Sequence, residues 1–223
     1  LYSDPNSVAH KTMLKMRMAC SEKRANPEEL DVDSKAIGAS KARLVAQDFM
    51  RGKKEDPERT YTPAPEAAIF RLMVASHPYS DWEFSITDVK NAYLQGDEFP
   101  YDPSKPKAEQ WIAVRYKCPL TDLWKYMWMT GEIYGRQPAG KNWHDSFAAK
   151  QESIGMIECK NAKSVYKSTK GDVKQCTHVD DPVTLSRRNK AGSNTESAKD
   201  AYYRELGSVL ELKEQSVLIE GQD

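Results

Sequence analysis

The chain lacks most of the features that assign a protein quickly. It has no apolar run near the roughly 20 residues that a membrane-crossing helix needs, so no membrane span is expected. Its start, Leu1-Tyr2-Ser3-Asp4-Pro5, has neither the basic nor the apolar region of a secretory leader, and reads as a piece cut from something longer. The four cysteines, Cys20, Cys118, Cys159 and Cys176, form no Cys-x-x-Cys pair and are too sparse for a secreted disulfide scaffold. An intracellular, reduced chain is expected, in cytoplasm or nucleus. Cys159, Cys176 and His178 with His144 lack the short paired spacings of a zinc site, so the thiols read as structural. There is no internal repeat and no low-complexity tract. Net charge is also missing: 33 Lys and Arg against 33 Asp and Glu leave no overall field to attract an anionic partner. Hydrophobic residues make up only 39% and mean hydropathy is −0.75, values that point to a chain that is partly loop, decayed, or held by a partner.

What is present is local. The 223 residues suffice for one domain or two packed subdomains. Between Trp111 and Lys174 there are eleven Lys or Arg against six Asp or Glu, a bias that suits a phosphate backbone and equally suits the wet faces of helices and strands. Residues 1–40 read as an irregular N-terminal extension, broken by a half-buried edge strand over Lys11–Ala19. Lys41–Phe49 reads as a strand with Lys41 and Arg43 on one face and Leu44 on the other.

Further along, a helix is expected from Glu66, with Ile69, Leu72, Met73 and Ser76 on one stripe and Pro78 as its stop. Trp82, Phe84 and Ile86 alternate in a strand, followed by a short helix or turn at Asn91–Gln95, a polar loop over Asp97–Gln110 and a strand over Trp111–Arg115. Trp124, Met127, Trp128, Trp143 and Phe147 have helical spacing and read as core, with Gly155 ending the helix that holds Trp143. Ser164–Ser168, Val173–Val179 and Val183–Leu185 read as successive antiparallel strands. Ser197 and Asp200 open a helix that should end at Gly207, with a last hairpin over Val209–Ile219.

Within this frame stand two acidic strings, Ile86-Thr87-Asp88-Val89 and His178-Val179-Asp180-Asp181. Two adjacent acids are usually a solvated turn. Joined by a third carboxylate, they can hold two divalent ions, which takes hard oxygen donors rather than Cys or His. Neighbours on a straight strand point to opposite faces, so Asp180 and Asp181 can share a site only on a bend, which the expected hairpin supplies.

The order of motifs carries more than either string. Lys41 to Ala46, Thr62 to Pro65, Ile69 to Leu72, Asp81 to Glu83, Asp88 to Gly96, Ile133 to Gly135 with Gln137 and Trp143, Ile154-Gly155, and Val179 to Asp181 follow at family-like distances. This resembles the reverse transcriptase (RNA-directed DNA polymerase) domain of copia-type long-terminal-repeat retrotransposons, from about Lys41 onward. The resemblance implies an α+β polymerase palm-and-fingers fold over residues 41–223, an antiparallel sheet packed on helices, with no complete thumb and no ribonuclease H. It implies catalytic and metal-binding roles for Asp88, Asp180 and Asp181, with two Mg2+ or Mn2+ ions. It also implies nucleotide-binding roles for Lys41, Arg43, Tyr93 and Gln137, with an RNA template, a DNA primer and deoxynucleoside triphosphates as partners.

The match has departures. His178 stands where the family has an aromatic residue, and Pro182 follows the acid pair, where a missing backbone donor should distort the hairpin. Arg136 takes a place that is usually apolar. Two readings stay open: an active polymerase domain, or a decayed palm kept as an RNA-binding or structural subunit of a larger assembly.

Overall fold

A computed structural model describes residues 13–22, 40–48, 56–76, 81–189, 194–213 and 216–217, with the side chains of 22, 40, 41, 76, 216 and 217 left out. In chain order the elements are β1 (Leu14–Glu22), β2 (Ser40–Ala46), α1 (Pro57–Thr60), α2 (Ala67–Ser76), β3 (Trp82–Ile86), α3 (Lys107–Gln110), β4 (Ile112–Lys117) and β5 (Trp124–Met129). They continue with α4 (Ala139–Ser153), β6 (Met156–Cys159), β7 (Ala162–Ser168), β8 (Val173–His178), β9 (Asp181–Arg187), α5 (Ala198–Val209) and β10 (Ser216–Val217). Helices and two mostly antiparallel sheets make this an α+β chain. It divides into two compact units, Leu1–Glu55 with Glu98–Ala139, and Asp56–Asp97 with Gly140–Asp223.

The first unit is a four-stranded sheet in the order β2-β1-β4-β5, in which only the β1–β4 pairing is parallel. Alternation sorts its side chains: Leu14, Met16, Ala46, Val114 and Met129 form a buried cluster on one face, while Lys15 and Arg17 stand exposed on the other. The expected edge strand is thus an interior one. Its second partner, paired as Leu14 with Val114, lies so far along the chain that local pattern cannot reveal it. Trp124, Met127 and Trp128 are likewise not core helix positions: β5 is a strand, with Trp124 39% and Met127 37% exposed. Their 3–4 spacing fits a helix, but a run of aromatic residues and methionines also suits a half-buried strand, and pairing with β4 decides between them. Gly135 follows with φ +86°, and a Cβ there would sit 2.2 Å from the Ala46 carbonyl, so the backbone approach to β2 needs a glycine.

The second unit is a six-stranded antiparallel sheet in the order β10-β3-β9-β8-β7-β6. One face packs Phe84, Cys176, Val183 and Leu185 against Met73 and Ile69 of α2. Burial raises the Cys176 thiol to about 11, so it behaves as a small hydrophobe. The other face packs Tyr166 and Val173 against Trp143 and Phe147 of α4 and against Tyr202, Tyr203 and Leu206 of α5. Burying side chains of this size stabilises by roughly 1.5–3 kcal/mol each.

Some polar groups inside this layer are paired, while the Tyr166 hydroxyl and Gln175 Oε1 are buried without a hydrogen-bond partner. Ser85 and the Tyr203 hydroxyl lie 2.9 Å apart, and Gln175 Nε2 donates to Thr177 Oγ1 at 3.0 Å. Ser197 caps α5 by accepting from the Asp200 amide at 3.0 Å, as the sequence implied, but the helix runs through Gly207 to Val209. On α2, Leu72 is 70% exposed and off the buried stripe. The last hairpin does not form among the described residues: β10 adds to the edge of β3, and Leu212 bridges to Val89. Lys107–Gln110, placed in a polar loop, makes a single helical turn. Pro78 lies outside the described residues.

Candidate carboxylate site

The site sits at one end of the second unit's sheet, built mostly by backbone hydrogen bonds. Beyond β3 the chain stays against the β8–β9 hairpin: Thr87 N donates to the Pro182 carbonyl at 3.2 Å and Val89 N to the Asp180 carbonyl at 2.8 Å. Asp88, between those two donors, is therefore carried to the tip that holds Asp180 and Asp181. From the other side, Lys213 N donates to the Asp88 carbonyl at 2.8 Å and Lys90 N to the Glu211 carbonyl at 3.0 Å.

The tip is a two-residue turn, Val179-Asp180, closed by the His178–Asp181 pair. Val179 has φ +56°, while Asp180 is not among the residues with positive φ. Positive φ at the first loop position alone is the pattern of a type II′ hairpin, which ordinarily uses glycine there. A β-branched residue in the left-handed region costs about 1–2 kcal/mol. It is held there from outside: the Trp143 indole N–H donates to the Val179 carbonyl at 2.7 Å, and the Val179 side chain packs against the core that contains Trp143. Strain is thus kept at a turn that carries Asp180 and leads directly into Asp181, which makes the tip a candidate site.

The three carboxylates feel one another. Partial burial, then the negative charges of Asp180 and Asp88, push the Asp181 carboxyl above its ordinary range, with His178 and Lys213 offsetting part of the effect. Asp88 Oδ2 takes an ion pair from the Lys213 ammonium, and Asp88 Oδ1 is buried with no hydrogen-bond partner. Among the described residues, no three His, Cys, Asp or Glu side chains converge as they stand on a point that could hold a metal ion. No family model matches the chain, and no curated protein matches it.

Of the two suspect residues around the acid pair, Pro182 behaves differently from expectation. Pro182 is fully buried in β9 and stays in register opposite Thr177. Its backbone faces β3, where its carbonyl serves Thr87, so its missing N–H subtracts from that ladder and leaves the hairpin undistorted. His178 is exposed and sits across from Asp181, where its charge lowers the carboxyl.

The remaining expected site residues divide between the units. Tyr93 lies in the 3-10 turn Ala92–Gln95 just after Asp88, half-buried against the aromatic core. Arg43 belongs to β2 of the first unit, its guanidinium 5.0 Å from the Tyr134 ring centroid, and Lys41 shares that strand with its side chain outside the described residues. Gln137 belongs to the first unit as well, with its backbone N–H donating to Asp48 Oδ2 at 3.3 Å. Lys213 was missed by sequence reasoning. Only the hairpin expected over Val209–Ile219 hinted at a strand there, and nothing local names its partner.

Proposed function

We propose that the chain is the fingers-and-palm part of an RNA-directed DNA polymerase of a copia-type retrotransposon, transferring nucleotides to a primer 3′-hydroxyl. The observation that carries this reading is the delivery of Asp88 to the strained tip that bears Asp180 and Asp181. The donor set suits divalent cations: three hard carboxylates, one with a buried oxygen lacking a partner and another whose proton affinity is raised by partial burial and then by its acidic neighbours. Asp88 and Asp180 would hold two Mg2+ or Mn2+ ions with Asp181 beside them. Such ions, when bound, supply the positive charge that activates a sugar hydroxyl and offsets charge on the phosphoryl group.

The chain's own residues set the conditions. Trp143 and the backbone bonds of Thr87 and Val89 fix the carboxylates' spacing, and the Lys213 ammonium neutralises Asp88 until a stronger cation displaces it. Tyr93, Lys41, Arg43 and Gln137 are assigned to the nucleotide on the resemblance. The test is extension of a labelled DNA primer on an RNA template in magnesium or manganese. Wild type should extend, Asp88→Ala and Asp180→Ala should not, and robust extension by the double variant removes the mechanism.

A second reading has one observation in its favour, the direct ion pair between Lys213 and Asp88. There the palm is catalytically decayed and serves as an RNA-binding or structural subunit, its acid site closed by an internal cation. Absence of both extension and Mn2+ binding in the wild type selects it.

A further inference from the structure

In the second unit, helix α2 is apolar on every side but buries only one stripe. Of the residues Ala67–Ser76 only Arg71 and Ser76 are polar, and Ile69 and Met73 pack into the cluster on the sheet. Phe70 is 40% exposed, Leu72 70% and Val74 40%. Phe70 and Val74, one turn apart, share one flank of the helix, and Leu72 stands on the other. A helix apolar all round is ordinarily buried all round, so these side chains form the kind of exposed patch that marks an interaction surface.

A row of cations adjoins the patch. Register pairs Lys167 of β7 with Lys174 of β8, and Trp82 of β3 with Arg187 of β9. Each lies two residues from a member of the cluster under α2, namely Val165, Cys176, Phe84 and Leu185, so all four share the α2 side of the sheet. Lys167, Lys174 and Arg187 are exposed. The Lys174 ammonium lies 4.6 Å and the Arg187 guanidinium 5.6 Å from the Trp82 ring centroid, which brings two cations onto one ring. Like charges directly across a strand pair are destabilising, and nearby acids do not relieve them. Glu158 pairs with Lys163 at 2.9 Å and Glu83 with Lys199 at 3.1 Å, and among the described residues no ion pair reaches Lys167, Lys174 or Arg187.

We propose that this corner docks an acidic amphipathic helix of a partner protein, with its carboxylates on Lys167, Lys174 and Arg187 and its apolar stripe on the adjoining flank of α2. Charge complementarity fixes the sign of the partner, and dimensions fit its form. From β7 to β3 the row spans about 15 Å, the length of a helix of about ten residues. A phosphate backbone would use the row but gain nothing from the aliphatic side chains of α2. A flat anionic bilayer would meet α2 first, because a helix lying on a sheet raises its outer side about 10 Å above the strands. A partner helix lying beside α2 meets both, with Trp82 and its two cations as the anchor. The proposal uses neither the tip carboxylates nor the first unit, so it fails separately from the polymerase reading.

The experiment is fluorescence anisotropy of the full chain in EDTA with a labelled helical peptide of about 16 residues, Leu along one stripe and Glu along its edge, and with a twin carrying Lys for Glu. Wild type should bind the Glu peptide at least about tenfold more tightly than the Lys twin. Lys174→Glu with Arg187→Glu should weaken the Glu peptide by a similar factor and tighten the Lys twin, a reversal that misfolding cannot produce. Phe70→Ser with Val74→Ser, or else Leu72→Ser, should weaken the Glu peptide at least about fivefold, and thereby name the flank. Asp180→Ala should bind like wild type.

Equal or absent binding of the twins by wild type overturns the proposal, as does failure of the charge reversal, or wild-type affinity in both flank variants. Loss of binding in Asp180→Ala overturns it by moving the peptide to the acid tip. Displacement of the peptide by an oligouridylate or by phosphatidylserine vesicles overturns it in favour of a nucleic-acid or membrane surface.

Discussion

Both units are sheets built largely from antiparallel pairs, but they place charge in opposite ways. The first spreads Lys15, Arg17, Arg43 and Arg115 over the flat of its sheet, where alternation alone separates them from the core formed by Leu14, Met16 and Val114. The second keeps both faces of its sheet packed and puts its acids at strand ends, where a turn and an extended connection meet. A surface made by alternation tolerates change residue by residue. A site made at strand ends depends on every bond that holds the tip, including a strained valine and a single indole N–H.

The largest effect that would sharpen this contrast is expected at Trp143. Trp143→Ala should destabilise the second unit by about 3–5 kcal/mol through the lost core contacts. Trp143→Phe should cost about 1–2 kcal/mol, much of it the bond to Val179, and should weaken Mn2+ binding more than any comparably mild core change. Chemical denaturation paired with calorimetric titration reads both. Next in size, Gly135→Ala should cost about 3 kcal/mol, because a Cβ collides with the Ala46 carbonyl in a left-handed conformation. Denaturation should place that loss in the first unit and leave Mn2+ binding by the second unchanged.

Lys213→Ala comes third. Freed of its internal cation, Asp88 should bind Mn2+ several-fold more tightly, and a titration showing weaker binding would make Lys213 a support rather than a plug. The smallest effect is at Asp181. Its carboxyl is raised in the fold, so the protein loses stability as pH climbs from the ordinary carboxylate range through the raised value. Asp181→Asn should therefore melt higher than wild type at neutral pH, with the difference gone near pH 3, and the gain should be modest because the group is largely solvated.

Local chemistry made much of the second unit legible. Thr169, Lys170, Gly171 and Asp172 announce a turn, the flanking β-branched residues announce strands, and Asp180 falls at the hairpin tip where the spacing puts it. Trp143 and Phe147 read as one helical face because they are four residues apart, and they are buried together. What escaped was whatever depends on a distant partner. The interior position of β1 is set by β4, the strand identity of β5 by its pairing, and the Lys213 contact by a chain segment that reaches back to Val89. Leu72 and Gly207 show the limit of period alone, since a helical stripe does not say which neighbours will cover it. The expected distortion at Pro182 failed because hydrogen-bond direction alternates along a strand, and sequence does not say which neighbour a given residue faces.

The most direct test is calorimetric titration of Mn2+ into the wild type, Lys213→Ala and Asp88→Ala with Asp180→Ala. The account requires saturable binding by the wild type, tighter binding by Lys213→Ala and none by the double variant. Binding that is absent from Lys213→Ala, or that survives in the double variant, would show that these acids do not form a cation site.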